Sequence, residues 1–123
     1  VMDSLAALKP VTVEPREKSE LPGDMARYCR GVAEGRGGVF LAICRGKVSE
    51  GLDFADGRAR AVIIAGIPYP PVKDPKVSLK RQYMDDRVRL GKIVGISGAE
   101  WYNQQASRAV NQAIGRVIRH QSD

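Results

Sequence analysis

Residues 38–44 read GVFLAIC, and residues 60–66 read RAVIIAG. Each is a short continuous apolar run bounded by Gly or Arg, with little alternation of polar and apolar residues. Strands buried on both faces read this way. Two such runs predict a mostly parallel sheet flanked by helices, and hence an α/β class. In open parallel sheets ligands gather beyond the carboxyl ends of the strands. The segments leaving the two runs, 45–54 and 67–75, are therefore where chemistry is expected.

The chain has 123 residues, room for one domain with a core. Lys and Arg total 20 against 14 Asp and Glu, a formal charge of +6 that favours a polyanionic partner. No apolar run approaches the roughly 18 residues of a membrane-spanning helix, so no membrane partner is expected. The two cysteines, Cys29 and Cys44, lack metal-ligand spacing and sit in apolar surroundings. Both read as reduced core thiols.

Helices are expected on either side of the runs. Residues 2–8 read as the tail of one, stopped by Pro10. Val11 to Val13 reads as a short extended piece within a charged loop. Asp24 is a fair N-cap for a helix to about Glu34, with Met25, Tyr28, Cys29 and Val32 on one buried stripe. Gly35, Gly37 and Gly38 break it. The run IPYPPVKDP at 67–75 is stiffened by its prolines. Residues 76–90 form a further helix, on which Asp85 and Asp86 read as solvated charges. Residues 91–96 read as a surface loop. Ser97 and Glu100 make an S-x-x-E capping box for the last helix, 99–120.

The segment CRGKVSEGLDF, 44–54, combines glycines that permit close backbone approach with Lys47 and Ser49, which suit a phosphate. Glu50 and Asp53 suit a ribose hydroxyl, a cation or an arginine partner. An ordinary loop with solvated charges fits the spacing equally well.

On the last helix, at about 100° per residue, Ala109, Val110, Ala113, Ile114, Val117 and Ile118 fall on one side. Gln112, Arg116 and Arg119 fall within a narrow wedge on the other. Arginine is suited to planar recognition of a phosphate and to stabilising transferred phosphoryl charge. Gln112 could hold a γ-phosphate or order the attacking water, and Gly115 allows close packing. A solvated basic face is the common alternative, but such faces usually mix Glu with Lys, and this one carries neither. Trp101 and Tyr102 could stack on a base; packing on a neighbouring element is the favoured reading for Trp101. His120 has no partner that would make it a catalytic base. There is no G-x-x-x-x-G-K-[ST] phosphate loop, so a nucleotide served by these arginines must be held mainly by another domain.

RGKVSEGLDF, ARAVIIAGIPYPP and QASRAVNQAIGRVIRH together resemble motifs V and VI of the XPD/DinG-like, iron–sulfur superfamily two DNA helicases. LKPVTVEPR at 8–16 and SGAEWYNQQASRAVNQAIGRVIRH place the chain nearest the telomere-maintenance branch, with a Fanconi-type branch second. The resemblance implies that residues 1–123 are a partial RecA-like (P-loop NTPase-type) domain, the second motor lobe, truncated at both ends. It further implies that Gly51, Asp53 and Glu50 face the nucleotide. Lys47, Ser49 and Arg45 would belong to the DNA contact. Gln112 and Arg116 would reach the γ-phosphate, with Arg119 as arginine finger or its partner. Implied for the whole protein are ATP with Mg²⁺, a 4Fe–4S cluster in the first motor domain, and 5′–3′ unwinding of DNA in repair or telomere maintenance in the nucleus. The partners would be single-stranded or duplex DNA and the first RecA-like domain of the same chain. The piece alone is expected to be inactive. The alternative is a non-catalytic nucleic-acid-binding module using the same basic face.

Overall fold

A parallel pair of strands with a helix between them organises the amino-terminal half. The computed structural model describes residues 2–46, 54, 56–91 and 95–118. A short helix α1 (Met2–Ala6) leads to β1 (Val11–Val13), a 3₁₀ turn at Lys18–Glu20, α2 (Leu21–Ala33) and β2 (Val39–Leu41). β1 and β2 pair in parallel, in the register Val11↔Val39, Thr12↔Phe40 and Val13↔Leu41. Parallel strands need a crossover long enough to return the chain, and α2 supplies it. The α/β reading and the extended piece at 11–13 hold.

α2 starts earlier than the sequence suggests. Pro22 fits its first turn because the missing N–H has no intrahelical acceptor there. Asp24 is thus not the N-cap; its carboxylate pairs with Arg27 inside the helix. At the other end Gly35 adopts φ 76°. The Arg36 N–H donates to the Gly31 carbonyl and the Gly35 N–H to that of Val32, both at 3.0 Å, a Schellman closure.

The chain divides into two compact units, residues 1–62 with 115–123, and residues 63–114. The first has an aromatic core. Tyr28 of α2 meets Phe40 of β2 at 5.7 Å and Phe54 at 5.6 Å, both edge-on, and Phe40 lies 5.4 Å from Phe54. Such pairs contribute about 0.5–1.5 kcal/mol each beyond the area they bury. Leu21, Met25, Cys29, Val32 and Ala59 surround them, so the predicted stripe of α2 is the buried one. The buried Tyr28 hydroxyl donates to the Arg58 carbonyl at 2.7 Å, and burial pushes its pKa up.

The second unit holds α3 (Pro75–Arg89) and α4 (Gly98–Ile114), packed on each other. Asp74 caps α3 by accepting the Lys76 N–H at 2.8 Å, with Pro75 in the first turn. The predicted capping box of α4 is present. The Ser97 N–H donates to Glu100 Oε2 at 2.7 Å, and the Glu100 N–H donates to Ser97 Oγ at 3.2 Å. The Ser97 N–H, and then the Ser97 hydroxyl that donates to the same Oε2 at 2.8 Å, hold the Glu100 carboxyl below the usual carboxylate range.

Four expectations fail. Residues 60–66 form no strand: Ile63 is 91% exposed, and the described sheet has two strands, β1 and β2. An apolar run becomes a strand only where a neighbour accepts its backbone hydrogen bonds, and no described segment does so here. The run at 38–44 is strand only over Val39–Leu41. Cys44 is exposed rather than a core thiol, because it lies in the turn after β2. Asp85 is not merely solvated: its Oδ1 accepts the Gly98 N–H at 2.7 Å, satisfying a donor at the start of α4. Asp86 pairs with Arg89 at 2.9 Å.

Candidate nucleotide and nucleic-acid site

The loop leaving β2 begins under tight backbone control. The Glu14 N–H donates to the Leu41 carbonyl at 2.7 Å, carrying the ladder one residue past β1. The Glu14 carboxylate then accepts the Ile43 N–H at 2.6 Å. The Gly46 N–H returns to the Ile43 carbonyl at 3.0 Å, closing a turn. A Cβ on Gly46 would lie 3.0 Å from both that carbonyl and a Glu14 carboxylate oxygen, so a side chain there forces a shift. Arg45, within the turn, has φ 65°, a left-handed conformation uncommon for a residue with a Cβ. Glu14 is thus a positioning residue that sequence reading passed over. Its one signal is a carboxylate directly after a β-branched VTV strand.

Phe54 ends the glycine-containing segment, and its ring belongs to the aromatic core of the first unit. Its N–H donates to the Arg116 carbonyl at 3.2 Å. Val117 beside it is buried. The end of one candidate segment and the arginine-bearing turn of the other are therefore joined backbone to backbone, inside one unit.

That turn corrects the reading of the last helix. α4 ends at Ile114, and Gly115, Arg116 and Val117 form a turn rather than a further helical turn. Glycine costs a helix about 1 kcal/mol relative to alanine and favours its end. The Arg116 carbonyl accepts the Phe54 N–H across the chain. The register that put Gln112 and Arg116 in one wedge stops at Ile114, so no single helix presents them together. Gln112 is exposed on the last turn of α4, and Arg116 is half-buried. Of the apolar side expected for this helix, Ala109 and Val117 are buried while Ile118 is 61% exposed. Lys47, Ser49, Glu50, Gly51, Asp53 and Arg119 lie outside the described residues, as does His120.

Tyr102, at the start of α4, packs within its own unit. Tyr102 stacks on Tyr69 with centroids 4.9 Å apart, donates its hydroxyl to the Pro70 carbonyl at 2.7 Å, and takes the Arg81 guanidinium over its ring at 4.9 Å. A ring so engaged is a strut, not a platform for a base. Trp101 is half-buried. Among the described residues no three His, Cys, Asp or Glu side chains come together. No helix of the described residues is long and apolar enough to cross a membrane.

Residues 3–123 match the family described as Helicase C-terminal domain. The chain is 54% identical over 120 residues to proteins named Regulator of telomere elongation helicase 1 homolog from Drosophila sechellia and Drosophila melanogaster, and 53% identical to the one from Drosophila grimshawi. In each case the match covers 97% of this chain and 12% of the relative. A family match over nearly the whole chain, on an α/β scaffold with a parallel strand pair, leaves one conclusion: the chain belongs to the helicase C-terminal domain family.

Proposed function

We propose that the chain is part of the second RecA-like motor domain of an ATP-dependent DNA helicase. In this reading it supplies the arginine side of the ATP site and part of the contact with the DNA strand. The hydrogen bond from the Phe54 N–H to the Arg116 carbonyl carries the reading, because it ties the glycine-containing segment to the arginine-bearing turn. Arg116 reaches the γ-phosphate, where a planar guanidinium can make two parallel hydrogen bonds to phosphate oxygens. Arg119 serves as arginine finger or its partner, and Gln112 orders the attacking water or holds the γ-phosphate. Glu50, Gly51 and Asp53 face the nucleotide, while Arg45, Lys47 and Ser49 contact the strand. Mg²⁺, bound with ATP mainly by the first RecA-like domain, supplies charge neutralisation at the phosphates. Any 4Fe–4S cluster belongs to that other part of the protein too. The whole protein works in the nucleus, in telomere maintenance or repair, and translocates 5′ to 3′.

In this reading the Phe54–Arg116 bond is a mechanical route from phosphate to strand. A displacement of the turn at 115–117 pulls on Phe54, whose ring is fixed against Tyr28 and Phe40. Phe54 thereby transmits the displacement toward the segment that follows β2. Closure and reopening of the two lobes would set the cycle.

The test is Arg116→Ala in the complete protein. DNA-stimulated ATP turnover falls about 10³-fold or more, the scale of an arginine finger, while single-stranded DNA affinity stays near wild type. A non-catalytic binding module predicts the reverse: weaker DNA binding, a shallower salt dependence and no effect of ATP. By itself the fragment hydrolyses no ATP.

A further inference from the structure

Lys76, Lys80, Tyr83 and Arg87 succeed one another along α3 at intervals of four, three and four residues. At about 100° per residue they fall within about 60° of each other, on one stripe. Lys76, Lys80 and Tyr83 are exposed, the tyrosine by 49%. The Lys80 ammonium lies 5.2 Å from the Tyr83 ring centre and the Arg87 guanidinium 5.6 Å from it. Arg87 Nη1 also donates to the Tyr83 hydroxyl at 2.8 Å. Both cations thus lie within cation–π reach of one half-exposed ring.

The carboxylates of α3 do not neutralise this stripe. Asp85 is spent on the Gly98 N–H, and Asp86 pairs with Arg89. Among the described residues the ion pairs are Arg27–Asp24, Arg36–Glu34 and Arg89–Asp86, none of them involving Lys76, Lys80 or Arg87. Nor does the helix use the stripe as a core, since α3 buries no residue and meets α4 through Arg81, over the Tyr102 ring, and Asp85, on the Gly98 N–H, while Arg87 is half-buried.

We propose that this stripe is a contact surface for single-stranded DNA, with Tyr83 offering a ring face to one base and Lys76, Lys80 and Arg87 taking the flanking phosphates. The inference rests on the DNA-motor reading and adds to it a surface apart from the two motifs. Alternating cations and an exposed aromatic ring fit an unpaired strand, in which every base has a π face and every linkage a charge. A duplex hides those faces, and an acidic peptide has only the charge.

The experiment uses the complete protein and a fluorescent oligothymidine. The double variant K80Q/R87Q weakens binding about tenfold near 0.1 M salt and lowers the salt slope by about 1.4, two cations at about 0.7 each on a single strand. Tyr83→Ala weakens binding about fivefold or more, whereas Tyr83→Phe keeps the stacking face and stays near wild type. Lys18→Gln, on the first unit, leaves the slope unchanged. The melting temperature of every variant stays at the wild-type value. An unchanged slope in K80Q/R87Q, an equal drop in K18Q, or polyglutamate displacing the strand only from the wild type would each overturn the proposal. A wild-type protein without DNA-stimulated ATP hydrolysis would instead sink the motor reading itself.

Discussion

The two units are held together by different physics. In the first, three aromatic rings from α2, β2 and the residue at the end of the glycine segment meet within 6 Å, and non-directional burial supplies the cohesion. In the second, the core is thin. α4 buries only Gly98, Ala106 and Ala109, and α3 buries nothing. What fixes that helix pair is directional: the Asp85 carboxylate on the Gly98 N–H, the Ser97–Glu100 box, and a glycine at the closest approach. The candidate chemistry follows this division. The Phe54–Arg116 link belongs to the unit whose core is aromatic, so the arginine turn is tied to that core. The basic stripe belongs to the polar unit, on a helix that buries no residue.

The contrast can be broken most severely at Phe54. Phe54→Ala removes the ring shared by Tyr28 and Phe40 and costs about 3–5 kcal/mol of local stability. Hydrogen exchange on the complete protein should show lost protection in β1, α2 and β2, while the first turn of α4 keeps its own. Equal loss in both would show that they share one cohesion. Gly98→Ala comes next. The added methyl collides with the Arg81 carbonyl and would lie 2.8 Å from Asp85 Oδ2. An overpacked contact of this kind costs about 1–3 kcal/mol, read as faster exchange in α3 and α4 alone. If protection there is unchanged, the close approach is not what joins the helices.

The smallest effect is a pH dependence. Glu100 is held below the usual carboxylate range first by the Ser97 backbone N–H and then by its hydroxyl. A lowered folded-state pKa means that the carboxylate's contribution is fully present above the ordinary range. It is lost as the pH falls through the lowered value. Protection of the first turn of α4 should therefore decline on acidification in the wild type and respond less in Glu100→Gln. Identical profiles would remove the capping box from the account.

Local rules made much of this fold legible. A period near 3.6 placed α2 and α4, and the S-x-x-E spacing located the start of α4, because these signals need only neighbours within one turn. The misreadings arise where distant partners decide. The run RAVIIAG carries every local sign of a strand, yet no described segment pairs with it. Gly115 looked tolerable inside a helix until Phe54 claimed the Arg116 carbonyl. Asp85 and Gly98 are 13 residues apart, and Glu14 and Ile43 are 29 apart, so no spacing rule connects them. The site was legible as residue types rather than as geometry. Arg45, Gln112 and Arg116 can be placed; Glu14, which bonds the Ile43 N–H at the turn carrying Arg45, and Phe54, bonded to the Arg116 carbonyl, emerge only from the packed chain.

The central claim is that the Arg116 guanidinium acts on a nucleotide phosphate through its planar fork. Arg116→Lys keeps the charge and removes the fork. In the complete protein the account predicts that DNA-stimulated ATP turnover falls almost as far as in the alanine variant, with single-stranded DNA affinity and its salt slope at wild-type values. Turnover retained in the lysine variant, or a loss confined to DNA binding, would contradict it.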